Sequence, residues 1–376
     1  MIYLDHAATT PVKPEALTAA WPWLTSEFGN PSSQHELGAR ASSALNQARE
    51  SVANFIGCRP SEITFTSGGT ESNNLSLIGI ALANPRGKHI VSAKTEHESV
   101  LKCLDFLERI HGFEIDWVTL DEFGQIDLAD FESRLRENTT LVTLMLANNE
   151  IGTIHPVSQL SAIARNFKIP FHTDAVQAAG WLDLNISELG VSALSLSGHK
   201  FGAPKGSGIL YCSSRLTLEP LIHGGGQEFE RRSGTENVAW AVAIATALDL
   251  LEEPEQASKL IAGLRDEFIR AVLAAMPAAK LTGSPFNRQA AIASFVIEGI
   301  NGETLLLELE NEQVICSSGS ACAAGSDDPS HVLLALGYDP DLARTSIRFS
   351  LGHNTTADEL DQAKGALVRA YKKLTA

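Results

Sequence analysis

The chain has 376 residues, 44% of them hydrophobic, which is enough for a large core and two domains. Lys and Arg number 29 against 45 Asp and Glu, a net charge of -16, and so acidic a surface argues against binding to phosphate backbones. Five cysteines (Cys58, Cys103, Cys212, Cys316 and Cys322) are an odd number without a CxxC pair, which excludes a disulfide framework and fits a reducing compartment, the cytoplasm. Met1-Ile2-Tyr3-Leu4-Asp5 has no basic or apolar leader pattern, and no run of about 18 uncharged apolar residues reads as a membrane span.

Apolar runs predict strands at residues 63–66, 90–93, 115–119, 141–147, 170–173, 193–197 and 208–211. Amphipathic stretches between them predict helices at 38–56, 99–111 and 157–166. Strands apolar along their whole length predict an α/β fold, a mainly parallel sheet sandwiched by helices. The 208–211 run follows its predecessor through a short Gly-rich loop, which predicts one antiparallel neighbour. Around Leu250-Leu251-Glu252-Glu253-Pro254 the pattern changes. Leu260, Leu264, Phe268 and Val272 at i, i+4 spacing predict a helix, followed by strands at 291–297 and 347–350 and a helix from Ala357. The expected division is a large domain over residues 15–252 and a smaller α+β domain from residues 1–14 and 253–376.

Candidate chemistry sits just past the predicted strands. The 63–66 strand runs through Ser67-Gly68-Gly69-Thr70 into a helix carrying Leu75, Ile78 and Leu82. Free N–H groups and the helix dipole make such a turn a phosphate site; an ordinary βα turn capped by Thr70 has the same form. His97 follows the 90–93 strand and can stack on a flat ring or move protons near neutral pH, or be a loop histidine at a helix start. Asn148-Asn149-Glu150-Ile151-Gly152 offers amides to a ligand or forms a plain turn. Asp174 ends the 170–173 strand, where a carboxylate can keep a pyridine nitrogen protonated, with Gln177 within reach of a phenolic oxygen; an N-cap Asp reads the same way.

Ser197-Gly198-His199-Lys200 carries a lysine past the 193–197 strand, and a desolvated lysine there is a nucleophile toward carbonyl carbons. Ser317-Ser318-Gly319-Ser320-Ala321-Cys322 is small and polar, so its cysteine reads as a nucleophile, while Cys58, Cys103 and Cys212 read as packing residues and Cys316 as buried. Arg348 alternates with apolar residues in Ser346-Ile347-Arg348-Phe349-Ser350, as a carboxylate clamp or a structural ion pair.

Together these residues resemble the class V aminotransferase superfamily, and within it the cysteine desulfurases of the NifS/IscS group. Tyr3-Leu4-Asp5-His6, Phe28-Gly29-Asn30-Pro31, Thr95-Glu96-His97, His223–Gln227 and Arg232-Ser233-Gly234-Thr235 extend the match over nearly the whole chain. The Ser-Ser-Gly-Ser-Ala-Cys segment is similar to that of the long-loop desulfurases. The resemblance implies pyridoxal-phosphate fold type I and a cofactor of pyridoxal 5'-phosphate. It assigns Lys200 to hold the cofactor, Asp174 to its pyridine nitrogen, Gln177 to its phenolic oxygen, and His97 to stacking and proton transfer. Gly69, Thr70, Ser197 and His199 hold the phosphate, Asn149 contacts the cofactor, and Thr235 reaches the phosphate from the partner subunit of a homodimer. Asn30 and Arg348 grip the carboxylate of L-cysteine. Cys322 takes the substrate sulfur as a persulfide, leaving alanine, and passes it to an acceptor protein for iron–sulfur assembly or thiolation. No resident metal is implied, although Cys322 can touch an iron–sulfur cluster in passing, and neither nucleic acid nor membrane is an expected partner. A selenocysteine lyase or another class V enzyme is the alternative. The chain ends soon after the Thr355-Thr356 helix start, without the extension that housekeeping members use to dock a scaffold, and Asp327-Asp328 follows the cysteine segment.

Overall fold

The computed structural model describes residues 1–83, 86–319 and 328–375. The strands in chain order are β1 (Ile2–Tyr3), β2 (Ile63–Thr66), β3 (His89–Ser92), β4 (Glu114–Trp117), β5 (Thr139–Thr143), β6 (Phe171–Asp174), β7 (Ala193–Ser197), β8 (Gly208–Cys212), β9 (Ala279–Leu281), β10 (Ile292–Ile297), β11 (Val314–Ile315) and β12 (Ile347–Ser350). Seven of them form one sheet in the order β2-β8-β7-β6-β5-β3-β4. Strands β3 to β7 pair in parallel, and β8 runs antiparallel to both β7 and β2, as the short Gly-rich connection predicts.

Alternation along the strands explains the helix layers. Val91, Val142, Leu194 and Ile209 point into one apolar cluster, and their neighbours Ile90, Leu141, Ala193 and Leu210 point into another. Both faces of each strand are therefore apolar, and both must be covered. Helices Glu36–Ile56, Val157–Asn166 and Val238–Asp249 cover the first face, and helices Gly69–Ala83 and Glu98–His111 the second. Strands β12-β10-β9 form a second, antiparallel sheet with its own core around Phe268, Phe295 and Phe349. Strand β1 pairs with β11, so the N-terminus joins this C-terminal part. Among the described residues no helix is long and apolar enough to cross a membrane.

Some expectations shift. Strand β5 ends at Thr143, but Leu144 and Leu146 still donate backbone bonds to His172 and Asp174, so the 141–147 run follows β6 with looser geometry. Leu260 is 66% exposed, while Phe268 and Val272 are buried. A strict four-residue spacing drifts about 40° per step around a helix of 3.6 residues per turn, which carries Leu260 off the face that Ile261 occupies. Leu82 is exposed at the end of its helix, and Cys316 is half-buried rather than buried.

One buried ion pair shapes a loop near the site. Glu228, Phe229 and Glu230 have φ of 48°, 59° and 66°, which non-glycine residues avoid. Arg49 holds the stretch with two bonds to Glu228 at 2.7 and 2.8 Å and a third to Ile63 O. Its guanidinium lies 5.0 Å from the ring centres of both Phe65 and Phe229. Glu228→Gln removes the charge but keeps the shape. It is expected to lower stability by about 1.5–3 kcal/mol in urea unfolding. A loss below about 0.5 kcal/mol would show that the pair does not anchor this loop.

Candidate active site

The parallel strands β3, β5, β6 and β7, together with β2, release their C-terminal ends on one side of the sheet, so the residues following each converge. They line a cavity of about 540 Å³. Its wall holds Gly69, Thr70, His97, Asn149, Asp174, Gln177, Ser197, His199, Lys200 and Arg348. Asn30 and Thr235 are exposed and stand outside that wall, and Asn30 Oδ1 accepts from Ser32 N–H at 2.9 Å. Cys322 lies outside the described residues.

The turn at Gly68-Gly69-Thr70 has a steric and a hydrogen-bonding reason. A Cβ at Gly69 would come within 2.8 Å of Val176 Cγ2, so only glycine lets this backbone pass. The first bond of the helix runs from Ser72 N–H to Gly68 O, which leaves the N–H groups of Gly69, Thr70 and Glu71 outside the helical ladder. The site therefore has free donors and the positive end of a helix dipole together. His199 sits beside it, with Nδ1 3.1 Å from Thr9 Oγ1. Burial, then the charges of Lys200 and Lys205, push its imidazole down to about 4, so it is neutral at pH 7.

Asp174 is 6% exposed, its Oδ1 accepting from Val176 N–H at 2.9 Å and its Oδ2 from the Asn73 amide at 2.7 Å. Among the described residues no side-chain cation pairs with it. A buried carboxylate supplied with neutral donors alone suits a ligand that brings its own positive charge, such as a protonated pyridine nitrogen. Lys200 Nζ donates to Ala7 O at 2.6 Å and Ala8 O at 2.8 Å, and Gln177 Nε2 donates to Ala7 O at 2.9 Å. The N-terminal segment thus forms part of the wall, anchored by Ala7 N–H on Ser350 Oγ and Thr10 N–H on His199 O. Nothing in the spacing of the chain predicts this role. The donors, the carboxylate and the amine together fit pyridoxal phosphate.

Arg348 forms the structural ion pair of one earlier reading. Its Nη2 pairs with Asp5 at 2.9 Å and its Nη1 donates to Asn149 O at 2.8 Å, while Nε is buried without a partner. The guanidinium carries five N–H groups, more than these bonds use, so donors remain for a ligand at the cavity wall. The other described cysteines are poor nucleophiles. Burial pushes the thiols of Cys58, Cys103 and Cys212 up to about 12 and raises Cys316 as well, so none is a thiolate at neutral pH.

Glu96 adds a charge question. It is fully buried, its Oε1 accepts from Met145 N–H at 2.7 Å, and Oε2 has no partner. Burial, and then the Asp174 charge, hold its carboxyl well above the usual range. A carboxyl raised in the folded state stabilises the fold while protonated, and that contribution is lost as pH rises from the unfolded value through the folded one. Glu96→Gln is expected to make the apo-protein more stable at pH 7 to 8 than the wild type. The difference should shrink toward pH 5. Urea midpoints across that range check it, and a variant less stable than wild type at pH 8 would contradict it.

Residues 2–363 match the family described as aminotransferase class-V. A protein named cysteine desulfurase IscS from Dictyoglomus turgidum is 45% identical over 99% of this chain and 95% of its own. An IscS-like cysteine desulfurase from Mycobacterium tuberculosis is 41% identical over 99% of this chain and 98% of its own. Among solved structures, a NifS-like protein superposes with a TM-score of 0.92 at 34% identity, covering 99% of this chain and 100% of that one. A structure titled SspA in complex with cysteine superposes with a TM-score of 0.83 at 36% identity, covering 93% and 99%.

Proposed function

The chain belongs to the class V aminotransferase family, and from that premise we propose that it is a cysteine desulfurase, converting L-cysteine to L-alanine and capturing the sulfur on Cys322. The reading is carried by one observation: a buried Asp174 with no cation among the described residues, the Gly69-Thr70 turn and Lys200 meet in a single cavity. The cysteine segment ending at Cys322 distinguishes this chemistry from transamination.

When bound, pyridoxal phosphate supplies an electron sink for bonds at the carbon of an amino acid. Lys200 Nζ would hold the cofactor and serve as the base that moves the substrate proton, with the Ala7 and Ala8 carbonyls orienting it. Asp174 would keep the ring nitrogen protonated, and Gln177 would sit at the phenolic oxygen. His97 would cover the ring. Gly69, Thr70, Ser197 and His199 would grip the phosphate, and Asn149 would contact the cofactor. Thr235 of the partner subunit would complete the grip in a homodimer, which accounts for its exposure in one chain. Arg348, through N–H groups its Asp5 and Asn149 bonds leave over, and Asn30 would take the substrate carboxylate. The Cys322 thiolate attacks the substrate sulfur. The carbon–sulfur bond breaks, a sulfur–sulfur bond forms, and the carbon side takes up a proton and leaves as alanine. The persulfide then passes to an acceptor protein, for iron–sulfur assembly or thiolation, in a reducing compartment such as the cytoplasm. A domain division at residue 252 would put the Cys322 segment in the smaller unit and Lys200 in the larger.

The test is peptide mass spectrometry after a single addition of L-cysteine. One added sulfur on the Cys322 peptide, absent in Cys322→Ala, supports the reading. Sulfur on another cysteine, or none with cofactor bound, overturns it.

A further inference from the structure

Asn73 lies in the second turn of the helix Gly69–Ala83 and is 1% exposed, too deep to solvate an amide. Its Nδ2 donates to Asp174 Oδ2 at 2.7 Å and to Ser99 Oγ at 2.8 Å. Ser99 Oγ in turn lies 2.8 Å from His97 Nδ1, and the Ser99 backbone N–H lies 3.1 Å from the same nitrogen. Four groups from three segments thus form one line, Asp174–Asn73–Ser99–His97.

Only one polarity fits this line. A backbone N–H can donate and nothing else, so His97 Nδ1 is an acceptor and a neutral ring carries its proton on Nε2. The Ser99 hydroxyl, facing that acceptor, donates to it and keeps its lone pairs for Asn73. The Asn73 amide must then present both N–H groups, one to Ser99 and one to the Asp174 carboxylate, which is why its Oδ1 is left buried without a partner among the described residues. Turning the amide over would set its oxygen against the carboxylate and the hydroxyl oxygen. That orphaned oxygen is a desolvation cost which a simple packing residue would not carry.

We propose that Asn73 is a positioning residue that, through Ser99, fixes His97 as a neutral ring with its proton on Nε2 while orienting the Asp174 carboxylate. The inference rests on the desulfurase reading for its consequence, which is a division of labour. His97 enters the reaction as a hydrogen-bond donor at Nε2, so Lys200 is left as the base. The helix after the phosphate turn thereby ties the phosphate, ring-nitrogen and ring-face contacts to one element.

The test has two arms. In apo-protein with 15N-labelled histidine at pH 8, wild-type His97 should show a protonated Nε2 and a hydrogen-bonded acceptor Nδ1. Asn73→Ala and Ser99→Ala should each move the Nδ1 resonance toward the unbonded acceptor position. The double variant should match Ser99→Ala, and Ser99→Thr should restore the wild-type value. In the holoenzyme, each alanine variant should lower kcat/KM for L-cysteine about tenfold, with the pair together also near tenfold rather than a hundredfold. Asn73→Ser serves if Asn73→Ala does not fold. An unmoved Nδ1 resonance in the Asn73 variants, or additive losses, overturns the proposal. Absence of any alanine from wild type would instead sink the desulfurase reading and leave the apo-protein arm to decide the relay alone.

Discussion

Lys200→Ala is expected to reduce alanine formation from L-cysteine by at least about 10³-fold, because no other amine in the cavity wall can take its place. Lys205 also lines the cavity, but it lies past the Phe201-Gly202-Ala203-Pro204 turn, whereas Lys200 is held by two carbonyls of the N-terminal segment. Those carbonyls hold the amine at the wall where a carbonyl ligand would meet it. The loss should be chemical rather than structural, since Lys200 packs against backbone that Ser350 and His199 anchor independently. Borohydride reduction followed by peptide mapping gives a readout apart from turnover. The cofactor mass should appear on the Lys200 peptide of the wild type and on no peptide of the variant. Activity within tenfold of wild type would remove Lys200 from its role.

Asp174→Ala should keep the cofactor bound yet lower kcat by about 10²–10³-fold, since one preorganised charge acts where positive charge must persist on the ring. The argument is electrostatic. Asp174 is buried, takes only neutral donors, and has no cation of its own among the described residues. Its charge is therefore unspent until the ligand arrives. Asp174→Glu should recover part of the loss, limited by the extra methylene, which shifts the carboxylate off the Asn73 and Val176 donors. Stopped-flow absorbance at saturating L-cysteine checks both variants. A kcat for Asp174→Ala within a factor of three of wild type would contradict the assignment.

Much of this site is legible in the sequence, because parallel strands with apolar flanks announce their own ends. Strands 63–66, 193–197 and 347–350 and the helix 157–166 stand where their spacing predicts, residue for residue. Strands 63–66 and 193–197 run directly into Ser67-Gly68 and Gly198, so the Gly69-Thr70 turn and Lys200 can be placed at strand ends without coordinates. The helix Pro14–Thr25 is hidden by Pro22 in its interior and by the exposed Leu17 and Trp21. Val238–Asp249 is apolar on nearly every face, which erases the period that marks a surface helix.

Long-range pairings escape for a different reason. The Arg348–Asp5 pair joins residues 343 apart, and the Asn73–Asp174 bond joins residues 101 apart. Such contacts depend on how two sheets and several helices pack, not on local pattern. Asn30 and Thr235 show the converse, since their motifs are plain in the sequence but one chain leaves them outside the cavity wall.

The most direct measurement is parallel quantification of alanine and sulfide from L-cysteine with dithiothreitol, for the cofactor-loaded wild type and Cys322→Ala. Equal amounts of the two products from the wild type, and neither from the variant, are the expected result. A cofactor-loaded wild type that yields no alanine, or a Cys322→Ala protein that yields both products at the wild-type rate, would contradict sulfur transfer through Cys322.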